Sequence, residues 1–149
     1  MTTISTYEKN LDGIESNVNK DLQIVESYFD LTNKKLVDIQ KDQSMLEYKW
    51  LKYDNQLYLI QEVVDVHAKD AFGKAYEVLR KDSHVDYSST DIKAMVECDR
   101  SYQEYKILQA RIKVVRKDVQ AVLTALESRR YQIKNMTDVI IKECDQYLL

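Results

Sequence analysis

Basic side chains are concentrated in the last third of a chain whose net charge is −3. Residues 106–134 hold eight Lys or Arg and two Asp or Glu, whereas residues 1–65 hold seven basic and twelve acidic side chains. On a helical wheel, six basic residues share an arc of about 140° beside an apolar stripe: Lys106, Lys113, Arg116, Lys117, Arg130 and Lys134. Such a face can bind polyanions. The alternative is that it is solvated or pairs with acidic helices of its own fold.

A second basic group lies near the middle of the chain and includes an aromatic side chain. Its members are Lys69, Lys74, Tyr76, Arg80 and Lys81. Cations beside an aromatic ring suit single-stranded nucleic acid, because phosphates need positive charge and bases need a stacking surface. The alternative is ordinary surface charge at a frayed helix end.

No arrangement typical of an enzyme accompanies these groups. His67 falls in an apolar helical pattern, His84 falls in a polar segment, and neither has a nucleophile at a recognised spacing. The sequence has no Gly-rich phosphate loop and no Glu-x-x-His motif. Cys98 and Cys144 lack metal-ligand spacing and are interpreted as reduced thiols. We therefore predict no catalytic residues, no metal and no cofactor.

The elements that carry these residues are predicted to be helices throughout. The 149 residues include no Pro and two Gly, too few turn-formers for a β-rich or α/β fold. A first helix is predicted from Ser5, where Ser5 and Glu8 have capping-box spacing, with its apolar stripe running to Phe29. A loop and a new helix start are predicted over residues 30–33.

Two very long helices follow from the apolar periodicity. One is predicted from about Lys34 to about Asp82, and another from a cap at Asp99 almost to Leu149, with a loop over residues 83–90 and a short helix over residues 91–98 between them. The first of these long helices keeps a repeat of 3.5 residues, which is typical of coiled-coil packing. We treat the chain as one structural domain with three parts: residues 1–30, 31–89 and 90–149.

The length of these helices suggests self-association. A helix of nearly 50 residues is about 70 Å long, whereas a compact domain of this size has a radius of gyration near 15 Å. Either the helices break, with Gly73 as the best position, or other copies of the chain cover their apolar seams. We predict the second solution, a homo-oligomer.

Several segments resemble the UvsY family, the recombination mediators of tailed bacteriophages, across about residues 34–143. They are Lys35-Leu36, Met45-Leu46, Lys49-Trp50-Leu51, Ile92–Val96 before Asp99, and Ser128–Asn135. The resemblance implies an all-α protein that binds single-stranded DNA and forms ring-like homo-oligomers, with a hexamer or heptamer expected. It also implies a protein that helps a recombinase replace single-strand-binding protein on DNA and has no enzymatic activity.

The resemblance assigns roles to the basic group around Tyr76 and to the last helix. Gly73–Tyr76 stands at the basic motif of the family: Lys74 matches the family lysine, whereas Tyr76 replaces an arginine that Arg80 and Lys81 could compensate. The predicted DNA contacts are Lys69, Lys74, Tyr76, Arg80, Lys81, Arg129, Arg130 and Lys134. Because the family holds its subunits together through the last helix, the predicted oligomer interface is Leu108, Ile112, Val115, Val119, Val122, Leu126, Ile133 and Ile140.

Two other functions fit the same sequence. A coiled-coil scaffold or adaptor would bind only proteins and use its basic residues for solubility or internal ion pairs. A peripheral membrane protein is disfavoured, because the basic arc has no adjacent exposed apolar cluster to insert. The sequence shows no signal peptide and no membrane-spanning run, so the expected location is the cytoplasm, or the host cytoplasm for a viral protein.

Overall fold

The computed structural model describes residues 3–82 and 84–147, and about 90% of these residues are helical, with no strand among them. The elements are α1 (Thr3–Leu22), a 3-10 helix (Val25–Phe29), α2 (Leu36–Asp82), α3 (Ser89–Glu97) and α4 (Arg100–Tyr147). The all-α prediction is confirmed. Ser83 of the predicted loop and the last two residues of the predicted final helix lie outside the described residues.

Side-chain caps fix the junction between the short helix and the last long helix. The Asp91 amide donates to Ser88 Oγ at 3.2 Å and the Ser88 amide donates to Asp91 Oδ2 at 3.3 Å, which closes a capping box. This box starts α3 two residues before the predicted position. The Tyr102 amide donates to Asp99 Oδ2 at 2.9 Å, which confirms Asp99 as the cap of α4.

The N-terminal region differs from its prediction. Helix α1 begins at Thr3, so Ser5 lies inside the helix and the predicted cap at Ser5 is wrong. The apolar stripe that continues to Phe29 is divided between α1 and the 3-10 helix. Asn33, with a φ of 59°, adopts the left-handed conformation that Asn tolerates in turns, and α2 begins three residues later.

The chain divides into two compact units. The first comprises Met1–Glu15 and Gln56–Arg116, and the second comprises Ser16–Asn55 and Lys117–Leu149. Helices α1, α2 and α4 each contribute a segment to both units. No described helix has an apolar stretch able to span a membrane.

Each unit has its own buried core, and both cores are built on heptad spacing. In the first unit the buried apolar residues are Leu11, Leu57, Val64, Ala68, Ile92, Val96, Leu108, Ile112 and Val115. In the second they are Val18, Tyr28, Ile39, Trp50, Val119, Val122, Leu126 and Ile133. Along α4 the steps between core residues alternate between four and three, as expected for a helix that packs along one seam.

The two long helices remain unbroken. Helix α2 continues through Gly73, where a Cβ would meet nothing within 4 Å, so the alternative of a break at this position does not occur. As far as Ile133 of α4, the apolar seams are covered within each unit by other helices of the same chain. Self-association stays a prediction.

Candidate nucleic-acid interface

A basic groove lies between α2 and α4 in the first unit. Lys69 from α2 and Lys106 and Lys113 from α4 line a depression of about 440 Å³. The other lining residues are Gln61, Asp65, Ala68, Phe72, Tyr102 and Gln109. We call this depression the basic groove.

Helical spacing explains why these side chains share one groove. On α4, Tyr102, Lys106, Gln109 and Lys113 follow at steps of four, three and four, beside the buried seam of Leu108 and Ile112. On α2, Gln61, Asp65, Lys69 and Phe72 have the same kind of spacing beside Leu57 and Val64. Positions that flank a heptad seam face the flanking positions of the partner helix. The pairing that buries the core therefore also places lysines from two helices opposite each other.

The electrostatics of the basic groove favour an anion. Among the residues that the structure describes, no carboxylate lies within ion-pair distance of Lys69, Lys106 or Lys113. The one acidic lining residue, Asp65, accepts a hydrogen bond from Gln109 Nε2 at 2.7 Å. Three lysines against one carboxylate leave the groove with a positive excess.

Aromatic rings form part of the groove and of its continuation. Phe72 meets Tyr102 edge-to-face with ring centroids 5.4 Å apart, and Lys106 Nζ lies 5.8 Å from the centroid of Tyr102. Farther along α4, Arg116 lies over the Tyr58 ring at 5.1 Å and donates to Gln61. Tyr58 is 45% exposed. Cations and accessible rings therefore alternate along one side of the first unit.

The predicted group around Tyr76 does not form one surface. Tyr76 and Arg80 line a neighbouring pocket of about 420 Å³ with the start of α3, and Tyr76 stacks on Phe72. Lys74 lies in a different depression, against α3 and the start of α4. Its hydrogen bond to Asp70, 2.7 Å long, raises the pKa of its ammonium group. Lys81, two turns after Lys74, shares its side of α2. The five residues are thus divided between two faces.

Arg129 cannot serve as the predicted DNA contact in this structure. Its side chain is 1% exposed, its Nε donates to the Tyr28 carbonyl at 2.8 Å, and a second guanidinium nitrogen donates to Gln43 Oε1. Burial lowers the pKa of the guanidinium, and the charges of Asp42 and Glu47 only partly offset this effect. Its place one heptad step after Leu126 puts Arg129 in the core of the second unit.

The other two predicted contacts on α4 remain at the surface of the second unit. Arg130 pairs with Glu47 at 2.8 Å, and Lys134 is exposed beside it in the same shallow pocket. Arg111, in the first unit, pairs in the same way with Asp12 at 2.8 Å and Glu15 at 2.6 Å. Part of the basic excess of α4 is therefore neutralised by acidic helices of the same chain.

The predicted oligomer interface is largely interior. Seven of its residues are at most 5% exposed and belong to the cores of the two units: Leu108, Ile112, Val115, Val119, Val122, Leu126 and Ile133. These side chains already pack against the chain's own helices, so they offer no surface to a second copy. Ile140, which is 43% exposed, is the one member at the surface.

The basic groove includes residues that the predicted contact set lacked. Lys106 and Lys113 belong to the predicted basic arc but not to the predicted contacts, and Phe72 and Tyr102 belong to neither set. The sequence feature that these four residues share is a position beside a heptad seam.

His67 is half-buried, hydrogen-bonds Tyr7 at 3.1 Å and stacks on Tyr105. No group of three His, Cys, Asp or Glu in the described ranges could hold a metal ion.

Comparison of the chain with protein families, with curated proteins and with solved structures gives no match. Fold and site together define an all-α protein with two long, heptad-paired helices and a cationic, aromatic groove between them. Function is inferred below from that groove and from the residues around it.

Proposed function

We propose that this chain binds single-stranded DNA along the basic groove and acts as a recombination mediator. The observation that carries the proposal is the convergence of Lys69, Lys106 and Lys113, from two helices, on a groove that also holds Phe72 and Tyr102. Single strands need both features, because their phosphates need cations and their bases offer flat faces for stacking.

Binding of this kind depends on salt and little on sequence. Each phosphate neutralised on a single strand contributes about 0.7 to the slope of log affinity against log salt, so three lysines contribute about 2. A fourfold rise in salt then lowers affinity about 20-fold through these three contacts. Stacking on Tyr or Phe is tolerant of base identity, since every base has an aromatic face.

The recombination role rests on the resemblance to the UvsY family. In that role the protein helps a recombinase replace single-strand-binding protein on DNA, in recombination, repair and recombination-dependent replication. It does so without catalysis, in the cytoplasm of a host cell. Self-assembly into a ring would repeat the groove along the strand, and sites of modest affinity joined in this way gain avidity from effective concentration.

Fluorescence anisotropy with a labelled single-stranded oligonucleotide tests the proposal. The variant Lys69→Ala/Lys106→Ala/Lys113→Ala removes the groove charge, and Lys20→Ala/Lys35→Ala/Lys93→Ala removes the same charge from exposed lysines elsewhere. We expect the groove variant to bind DNA at least 10-fold more weakly and the slope of its log affinity against log salt to be smaller by about 2. The control should bind like the parent. An equal loss of DNA affinity in both variants, or no DNA binding by the parent at low salt, would refute the basic groove as the DNA-binding site.

The recombination role needs a separate assay. A recombinase is mixed with single-stranded DNA covered by single-strand-binding protein, and its DNA-dependent nucleotide hydrolysis is followed with and without this protein. The proposal predicts that the parent shortens the lag before nucleotide hydrolysis begins and that the groove variant does not. A parent that binds DNA but leaves the lag unchanged would retain the DNA-binding function and refute the mediator role.

A scaffold that binds only proteins is the second candidate. It is favoured by large apolar side chains left on the outside of α2, among them Val37, Tyr48 and Leu59, which are 73%, 72% and 64% exposed. Exposed apolar residues grouped along one side of a helix are typical of protein-binding surfaces. This candidate predicts no salt-dependent DNA binding, so the anisotropy titration separates the two.

A further inference from the structure

The side of α2 that points away from its buried seam carries apolar and basic residues in the second unit. Val37 is 73% exposed, Met45 63%, Tyr48 72% and Leu51 50%. All four lie within about 60° of Tyr48 on the helical wheel, together with Lys41 and Lys52. No carboxylate between Leu36 and Asn55 falls in that arc. We call these six residues the outer α2 face.

The end of α4 has the complementary composition. Residues 136–147, here named the C-terminal segment, hold Asp138, Glu143 and Asp145 against Lys142. Their exposed apolar side chains are Met136 (39%), Val139 (53%), Ile140 (43%) and Ile141 (52%). The segment is acidic and apolar, whereas the outer α2 face is basic and apolar.

Most of the C-terminal segment is left uncovered by the rest of the described chain. Gln40, near the start of α2, hydrogen-bonds Thr137 at 3.4 Å, and every residue from 138 to 146 is exposed. Because α2 begins at Leu36, α4 continues past the end of its partner helix. Met136 and Ile140 extend the heptad steps of Leu126 and Ile133, so seam positions continue where nothing in the described chain covers them.

We propose that the C-terminal segment of one copy docks on the outer α2 face of a second copy. Apolar side chains pack along the contact, and Lys41 and Lys52 face the carboxylates of the segment. The lengths agree, since twelve helical residues span about 17 Å and the face from Val37 to Lys52 spans about 22 Å. Docking within one copy is excluded by geometry, because α4 packs on the opposite side of α2 as a continuous helix.

This contact joins two different surfaces, so it is heterologous. A heterologous contact propagates head to tail and closes into a ring when the rotation between copies permits. The inference rests on the self-assembly included in the proposed function and specifies its interface. It places that interface on the end of α4 and the outside of α2, rather than on the interior stripe from Leu108 to Ile133.

Charge reversal at each surface tests the contact. The face variant is Lys41→Glu/Lys52→Glu, and the segment variant is Asp138→Lys/Glu143→Lys/Asp145→Lys. A control, Lys20→Glu/Lys93→Glu, changes exposed lysines outside both surfaces. Mass in solution is measured by light scattering, and helix content by circular dichroism verifies that each variant is folded.

We expect the parent and the control to form oligomers and each single-surface variant to be monomeric. An equimolar mixture of the face and segment variants should regain oligomers, because the two intact surfaces pair with each other and the two reversed surfaces again carry opposite charges. Combining all five substitutions in one chain should restore oligomers. A monomeric parent, an oligomeric face variant or a mixture that stays monomeric would each overturn the proposal.

The outcome is independent of DNA binding by the basic groove. None of the substituted residues lines the groove, so a monomeric parent that still binds DNA through Lys69, Lys106 and Lys113 would refute the docking alone. Loss of DNA binding in the groove variant with unchanged mass would support the proposed site without bearing on docking.

Discussion

Replacing Arg129 with Met is expected to destabilise the second unit and to leave DNA binding unchanged. The guanidinium donates to the Tyr28 carbonyl and to Gln43, and the side chain is 1% exposed. Met fills a similar volume, so the main effect of the substitution is that two buried acceptors, the Tyr28 carbonyl and Gln43 Oε1, lose their hydrogen-bond donor. Each such acceptor costs about 1–3 kcal/mol, and relief from burying a cation offsets part of this.

The expected loss is about 2–4 kcal/mol, or about 5–15 °C in melting temperature for a chain of this size. Arg130→Met is the matched control, because Arg130 is the neighbouring residue but its side chain is 61% exposed and its pair with Glu47 is worth at most about 1 kcal/mol. Chemical denaturation followed by circular dichroism measures both.

A double-mutant cycle with Gln43→Leu sharpens the test. Gln43 itself donates to the Leu126 carbonyl at 2.8 Å and to Glu47 at 2.6 Å, so the two residues form one polar layer. Removing both should cost less than the sum of the single losses by about 1–2 kcal/mol, because the double variant leaves fewer buried groups unpaired. If Arg129→Met is as stable as Arg130→Met yet loses DNA affinity, Arg129 is a DNA contact and the burial argument is wrong.

Two further predictions concern α1 and α2. Burial raises the pKa of the Asp21 carboxyl, but hydrogen bonds from Lys49 at 2.7 Å and Tyr53 at 2.6 Å outweigh it and hold that pKa below its ordinary value of 3.8. Because the folded-state pKa of Asp21 is depressed, its ionised carboxylate stabilises the fold above pH 3.8, and this stabilisation is lost as the pH falls below that value. The variant Asp21→Asn should therefore show a flatter dependence of unfolding free energy on pH in this acidic range. An unchanged pH dependence would contradict the interaction of Asp21 with Lys49 and Tyr53. Gly73→Ala should raise the free energy of unfolding by about 0.5–1 kcal/mol, because the position is helical and has space for a methyl group. Urea denaturation measures this change, and a lower free energy of unfolding in the variant would indicate a contact at that position.

The sequence predicts the helices well because periodicity and caps are local properties. The end of α2 at Asp82 and the start of α4 after Asp99 follow from residues within one turn of each boundary. What covers an apolar seam is not local. The stripe from Leu108 to Ile133 was interpreted as an interface between copies, whereas other helices of the same chain bury it.

The candidate site shows the same division. The basic arc of α4 was visible in the sequence, but its meeting with Lys69 depends on the register of α2 against α4, which no single helix specifies. Arg129 is one of the predicted DNA contacts, a role that requires an exposed side chain. Its position, three residues after Leu126 and four before Ile133, is a seam position and would have predicted burial.

The burial of Arg129 also changes what the resemblance to the UvsY family can support. Residues 128–135 are its most specific segment, and within that segment Arg129 and Ile133 are core residues while Arg130 pairs with Glu47. Packing of α4 against α2 therefore accounts for these three residue types without any DNA. A mediator function in this chain has to rest on residues outside that segment. Lys69, Lys106 and Lys113 satisfy this condition, because their side chains are exposed at one groove and no ion pair within the described residues neutralises them.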